Sequence, residues 1–180
     1  DCDGMGALLR NQAKANFAGT KVTTHSFKGS ESVENKGDDF KDAGDFGINV
    51  TKGKITNGDV FANKRAQRYV SLAARCRKTW EAVEKGIYHN PADMISFSSD
   101  IKQIQKLRAE LCRIPMKPVG STGQICLYTK AEMKKGIQLP DGSKQVIPSP
   151  NMGDCVMMAT FEPVSNTGFK KFEYQRESIA

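Results

Sequence analysis

The clearest pattern in the chain runs from Phe61 to about Lys85, where apolar and small residues recur at spacings of three and four. This period places them on one face of a helix and predicts that the face lies in the core. The stripe consists of Ala62, Ala66, Tyr69, Ala73, Cys76, Trp80 and Val83. Basic residues surround this stripe. We interpret most of them as the solvent-exposed face of the helix, and we interpret Lys64 and Arg65 as candidate contacts to phosphates.

Weaker patterns predict further elements on both sides of this helix. They are a helix from Gly4 to about Asn16, a strand from Lys21 to Phe27, a helix capped by Ser98 or Ser99 and ending before Pro115, a strand from Gln124 to Tyr128, a short helix from Lys130 to Gly136, and a last helix from Asn151 to Phe161. A strand that ends at residues 1–3, followed by a helix and a second strand, makes a right-handed βαβ unit with a parallel pair. The order of elements therefore predicts an α/β fold.

Residues 28–59 form a long polar insertion after the second visible strand. Glycines are frequent there, and five lysines stand against seven acids, so the segment carries −2 and the rest of the chain carries 22 − 13 = +9. Loops of this length are typical of functional lids, hairpin insertions or disorder. Phe46, Ile48, Val50 and Ile55 are spaced for a small hairpin with Gly53 at its turn.

Composition narrows the class of protein. A chain of 180 residues suits one domain, and a net charge of +7 favours a polyanionic partner. No stretch approaches the roughly 20 apolar residues of a membrane span, so we expect a soluble protein without a membrane partner. Five widely spaced cysteines, an odd number, suit reduced core thiols in a cytoplasm.

Acidic residues at two places in the chain are candidate functional residues. Asp1 and Asp3 precede Gly4-Met5-Gly6, a strand-to-helix turn, and a carboxylate at a strand's carboxyl end points into the crevice where α/β sheets bind ligands. An ordinary turn is the simpler interpretation, and a dinucleotide site is disfavoured because the third glycine of its fingerprint is missing. Asp154 lies in an apolar helical run, where it needs a cation. No strand precedes Asp1 in the sequence, so we expect a piece of a longer chain.

Four motifs stand in a familiar order. They are Asp1-Cys2-Asp3-Gly4-Met5-Gly6-Ala7, Phe61-Ala62-Asn63-Lys64-Arg65-Ala66-Gln67, Tyr128-Thr129-Lys130 and Ser149-Pro150-Asn151-Met152-Gly153-Asp154. Together they resemble the nuclease domain of tailed-bacteriophage terminase large subunits, over roughly residues 1–162. Each motif by itself occurs in many proteins, but the order and spacing of all four make the resemblance specific. Gly153 stands where the family more often has alanine.

The resemblance implies an RNase H-like mixed sheet flanked by helices, in which three acids hold two divalent ions, Mg²⁺ or Mn²⁺. Asp1 matches the second acid and Asp154 the third, while the first would lie upstream of residue 1. Asp3 is a weaker metal candidate. Lys130 matches a lysine after a strand, which would neutralise phosphate charge or hold the attacking water; an ordinary surface lysine is an equal alternative.

The implied activity is that of a metal-dependent endonuclease domain of a viral DNA-packaging terminase, which cuts concatemeric double-stranded DNA with little sequence specificity. Lys64, Arg65 and Lys130 would contact DNA phosphates. The implied partners are the ATPase domain of the same parent chain, the portal and the small terminase subunit, in the cytoplasm of a bacterial host. Residues 163–180 would form a C-terminal tail.

Two other functions remain open at this point. One is a non-catalytic basic domain for DNA binding or assembly, which metal-dependent cutting of a plasmid would exclude. The other is a different RNase H-like nuclease, of the resolvase or transposase type. A P-loop ATPase upstream in the parent gene would distinguish a terminase from that second class.

Overall fold

A computed structural model describes residues 6–22, 25–40, 54–117, 123–139 and 141–160. These segments form a mixed α/β structure. The helices are α1 (Gly6–Asn16), α2 (Asn57–Val60), α3 (Lys64–Lys85), α4 (Ile104–Leu111), α5 (Lys130–Lys135) and α6 (Asn151–Ala159), with a 3-10 turn at Pro91–Asp93. The strands β1 (Ile137–Gln138) and β2 (Lys144–Gln145) pair antiparallel. None of the helices in these segments is long and apolar enough to span a membrane.

The helix α3 confirms the strongest prediction from the sequence, although it begins three residues later than Phe61. Asn63 caps its start, because its side chain accepts a hydrogen bond from the Ala66 amide at 3.0 Å. Gly86 ends it in the left-handed conformation at φ 66°. The polar segment 28–36 covers the same helix start: the Lys64 and Arg65 amides each donate to one of its carbonyls at 3.0 Å. The first turn of α3, and Arg65 with it, is therefore fixed.

The core lies against the first half of α3. Its fully buried side chains include Phe61, Ala66 and Met157, and Phe40 meets Phe61 edge to face at 5.0 Å between ring centroids. The expectation that the whole stripe is buried is wrong. Ala62 and Ala73 are exposed. Trp80 and Val83 are 52% and 75% exposed, because the last turns of α3 extend beyond the elements that cover its beginning.

An extended segment at residues 124–128 joins the chain's distant parts. Ile125 bridges Phe61 in parallel, and Leu127 bridges Met116 antiparallel. The Ile125 amide donates to the Val60 carbonyl at 2.7 Å, and the Ile125 carbonyl accepts from the Ala62 amide at 3.0 Å. The predicted strand at Gln124–Tyr128 is thus extended and paired on both sides, but only through single bridges. It places the residues after it beside the start of α3.

The remaining predicted helices and strand agree only in part with the structure. The predicted helices at Gly4–Asn16, Lys130–Gly136 and Asn151–Phe161 are confirmed within two residues of their bounds. The strand at Lys21–Phe27 is wrong for its described residues, which have no strand pairing. The helix expected after Ser98 begins only at Ile104, because Ser98 binds the Asp100 amide in a local turn.

The insertion and the cysteines also differ from expectation. Part of the 28–59 insertion packs inward: Val33, Phe40 and Ile55 lie against the core. Cys112 and Cys155 are exposed, so they are not core residues. The hairpin expected around Phe46–Val50, the turn residues Asp1–Met5 and the 163–180 tail lie outside the described residues.

Candidate functional site

Asp154 is a buried acid in the first turn of α6. Only 6% of the residue is exposed, and its amide donates to the Pro150 carbonyl at 2.7 Å. A carboxylate near a helix N-terminus is favoured by the helix dipole. Burial of a charge without partners would cost several kcal/mol, so its neighbours decide what the site is.

Three side chains meet the Asp154 carboxylate. The Tyr69 hydroxyl donates a hydrogen bond to Oδ1 at 2.6 Å, and the Arg65 guanidinium lies 3.4 Å from the same oxygen. The Lys130 ammonium lies 2.8 Å from Oδ2. Two cations therefore surround one anion, and the local charge is positive without further ligands.

Arg65 and Tyr69 stand four residues apart on α3, so they occupy the same helix face. Arg65 also donates to the Tyr128 carbonyl at 3.0 Å, and its guanidinium carbon lies 5.3 Å from the Tyr69 ring centroid. These contacts tie α3, the 124–128 segment and α6 together at one point. Arg65 is consequently held in place as well as charged.

Lys130 is the first residue of α5, and a capping box sets where that helix begins. Thr129 accepts from the Glu132 amide at 3.2 Å, and Glu132 accepts from the Thr129 amide at 2.7 Å. The Lys130 side chain is 47% exposed. It can therefore reach both Asp154 and solvent.

The carboxylate of Asp154 can ligate a metal through Oδ2. This oxygen is buried and lies 2.8 Å from the Lys130 ammonium, but no donor among the described residues makes a well-aligned hydrogen bond to it. Carboxylate oxygen is the ligand that Mg²⁺ and Mn²⁺ prefer. Within the described segments, no group of three His, Cys, Asp or Glu side chains could complete a site. Asp1 and Asp3 lie outside those segments, so Asp154 fits as one ligand of a larger set.

The structure brings together three of the residues that the sequence singled out, Arg65, Lys130 and Asp154. Lys64 lies elsewhere: its ammonium pairs with Glu31 at 2.7 Å and Glu34 at 3.5 Å, with 12% of the side chain exposed. Its role as a DNA contact stays a prediction. The sequence analysis placed Tyr69 only in the core stripe, and no local pattern indicated its hydrogen bond to Asp154.

The Tyr69 hydroxyl is expected to stabilise the site. Burial and the bond to Asp154 raise the tyrosine pKa well above its ordinary value, so the hydroxyl stays a donor at physiological pH. Tyr69→Phe should lower the free energy of unfolding by about 1.5 to 3 kcal/mol, the usual value for a hydrogen bond to a charged group. Urea denaturation measures it, with the exposed Tyr88→Phe as a control that should change little. Equal stability of the two variants would contradict the role.

Glu132 gives the α5 cap a predictable pH dependence. Hydrogen bonds from Lys117, at 2.7 Å, and from Thr129 lower its pKa from 4.5 to about 2. Its stabilising effect is thus complete above about pH 4.5 and lost as the pH falls towards 2. Because the side chain is 43% exposed, solvent screening limits the effect of Glu132→Gln at pH 7 to about 1 kcal/mol.

Urea denaturation at pH 7 and pH 3 tests this dependence. The difference between wild type and Glu132→Gln should shrink at the lower pH. The exposed Glu84→Gln provides a control without such a difference. A gap that stays constant between the two pH values would show that Glu132 acts through packing alone.

Comparison with solved structures confirms the resemblance of this chain to nuclease domains of terminase large subunits. No protein-family model matches the chain, and neither does any curated protein sequence. The matched structures are of the nuclease domain of the large terminase subunit gp2 of bacterial virus Sf6. The chain is a relative of that domain.

Three of these structures show how similar the chain is to this domain. A lysine-to-alanine variant bound to manganese and beta-thujaplicinol is 40% identical with a TM-score of 0.73, over 91% of this chain and 64% of the other. The nuclease domain without a named ligand has the same identity and TM-score, over 89% and 63%. A variant with calcium matches over 91% and 63%. The chain thus spans slightly less than two thirds of the structures it matches.

Proposed function

We propose that this chain is part of a divalent-metal-dependent endonuclease domain of a viral DNA-packaging terminase, which hydrolyses phosphodiester bonds of double-stranded DNA. The observation that carries the proposal is the buried Asp154 carboxylate, which has one oxygen without an aligned donor and two cations beside it. The manganese and calcium in the related structures support a divalent ion at the corresponding domain.

Asp154 would hold the metal together with Asp1, with Asp3 as a weaker third candidate, and an upstream acid would complete the set. Two Mg²⁺ or Mn²⁺ ions held there would supply water activation and stabilisation of the leaving oxygen of the phosphodiester. Tyr69 keeps Oδ1 fixed, so that Oδ2 points in one direction. Arg65 offsets the negative charge that several converging acids would build up at this place.

Lys130 is the residue best placed to meet the substrate. Its side chain is half exposed and its ammonium reaches the Asp154 carboxylate, so it can bind a phosphate next to the metal ligands. A fixed positive charge beside the scissile phosphate stabilises the charge that develops in the transition state. This supports a catalytic role for Lys130 over that of an ordinary surface lysine.

DNA would be bound through its phosphates. The chain has a net charge of +7, and Arg65 and Lys130 lie together at the site. Lys64 would have to leave its pairs with Glu31 and Glu34 to contribute. Binding through a few phosphates weakens with salt and depends little on sequence. By resemblance, the ATPase domain, the portal and the small subunit are proposed partners, in the host cytoplasm.

Plasmid cutting by the intact parent protein tests the proposal. Supercoiled plasmid should be nicked and linearised with Mn²⁺ or Mg²⁺, and chelation should stop the reaction until metal is restored. Digests of plasmids with unrelated sequences should proceed at similar rates. DNA binding without cutting under any divalent ion would favour the non-catalytic binding domain, and cutting confined to branched junctions would favour a resolvase.

A further inference from the structure

The helix that carries Asp154 begins without a cap of its own. Pro150 occupies its N-cap position and has no side-chain acceptor. The Ser149 hydroxyl donates to the Asn151 side chain instead of accepting from the helix. Since the first amides of a helix have no partner within it, they need acceptors from elsewhere.

Glu110 on the neighbouring helix α4 provides this acceptor. Its Oε2 accepts hydrogen bonds from the Met152 amide at 2.7 Å and from the Gly153 amide at 3.0 Å. The carboxylate also lies at the positive end of the α6 dipole, where negative charge is favoured. One oxygen of α4 thus replaces the missing cap of α6.

The two helices also approach closely at this turn. A methyl group in place of the Gly153 hydrogen would lie 3.4 Å from the Leu111 side chain, the neighbour of Glu110 on α4. The space there suits a glycine or an alanine. Packing and hydrogen bonding therefore fix the same turn, whose next residue is Asp154.

We propose that Glu110 is a positioning residue that holds the first turn of α6, and thereby the Asp154 carboxylate, in the geometry for metal binding. The effect on metal binding rests on the proposed function, whereas the effect of Glu110 on the first turn of α6 does not depend on it. Without Glu110, the Met152 and Gly153 amides lose their acceptor, the first turn loosens, and Asp154 is less well oriented. Loss of such an outer partner typically lowers metal affinity or activity 10- to 100-fold.

The test compares Glu110→Ala, Glu110→Gln and the exposed control Glu84→Ala in the intact parent protein. The first readout is hydrogen exchange of the peptide that contains Met152 and Gly153. Glu110→Ala should raise its exchange rate about tenfold, while Glu110→Gln, which keeps an acceptor oxygen, should restore most of the protection. The Glu84→Ala protein should exchange like wild type, because Glu84 lies on the exposed side of α3.

The second readout is the Mn²⁺ concentration for half-maximal plasmid cutting. It should rise at least tenfold in Glu110→Ala with a smaller change at saturating Mn²⁺, and Glu110→Gln should lie in between. Unchanged exchange in Glu110→Ala would overturn the positioning role. So would faster exchange with an unchanged Mn²⁺ requirement. If wild type does not cut at all, the proposed function fails, and the exchange data still decide whether Glu110 holds α6.

Discussion

Asp154→Asn should abolish metal-dependent DNA cleavage by the intact parent protein, with a loss of at least about 10³-fold. Asparagine keeps the shape of the side chain and can still accept from Tyr69, but it lacks the anionic oxygen that a hard divalent ion requires. A metal at such a site contributes several kcal/mol to transition-state stabilisation, and each 1.4 kcal/mol corresponds to a factor of ten. Initial rates of plasmid nicking at saturating Mn²⁺ measure the effect.

The same variant should remain folded. It loses the charge attraction to Arg65 and Lys130, which is limited because Lys130 is half exposed, so we expect a loss of stability of about 1 to 2 kcal/mol. Asp93→Asn, an exposed acid in the 3-10 turn, serves as the matched control and should keep full cleavage. Near-normal cleavage by a folded Asp154→Asn protein would make Asp154 a structural residue and favour the non-catalytic domain.

Lys130→Ala should reduce cleavage about 10²-fold, the usual loss when one charge-stabilising group is removed from an active site. Lys130 supplies an ammonium 2.8 Å from the metal-ligating candidate Asp154, and no comparable effect is expected from its helix neighbours. Single-turnover rates with saturating protein separate this chemical effect from DNA binding.

The matched control for Lys130 is Lys134→Ala, an exposed lysine on the same short helix. Both variants should weaken DNA binding slightly, since each removes at most one phosphate contact and lowers the salt slope by about 0.9. Only Lys130→Ala should slow the chemical step. Equal effects of the two substitutions on single-turnover rates would show that Lys130 is an ordinary surface lysine.

The sequence predicted the parts of this fold that depend on local periodicity. The helix α3 was predicted from its apolar spacing alone, and α5 from the short basic run that ends at Gly136; their N-terminal caps became visible only in the structure. The prediction failed where tertiary contacts decide. Trp80 continues the apolar period of α3, but no described element covers it; Lys85 lies 4.7 Å from its ring centroid.

The charged residues of the site could be predicted from the sequence, but the hydrogen-bonding partners around them could not. Asp154 in an apolar run requires a cation, and the structure supplies Arg65 and Lys130. A buried tyrosine fits a core stripe equally well with or without a polar partner, so the bond of Tyr69 could not be inferred. Glu110 lies 42 residues before Met152, and no local pattern joins an exposed-looking acid on one helix to the amides of another.

The most direct measurement is the position of manganese in a crystal of the intact nuclease domain, located by its anomalous scattering. The proposed site predicts a Mn²⁺ ion about 2.0 to 2.6 Å from Oδ2 of Asp154, bound as well by Asp1. The Asp1 and Asp154 carboxylates should then lie well within about 10 Å of each other, as a shared pair of ions requires. Manganese bound elsewhere, or the two carboxylates farther apart than this, would contradict the metal-dependent nuclease site.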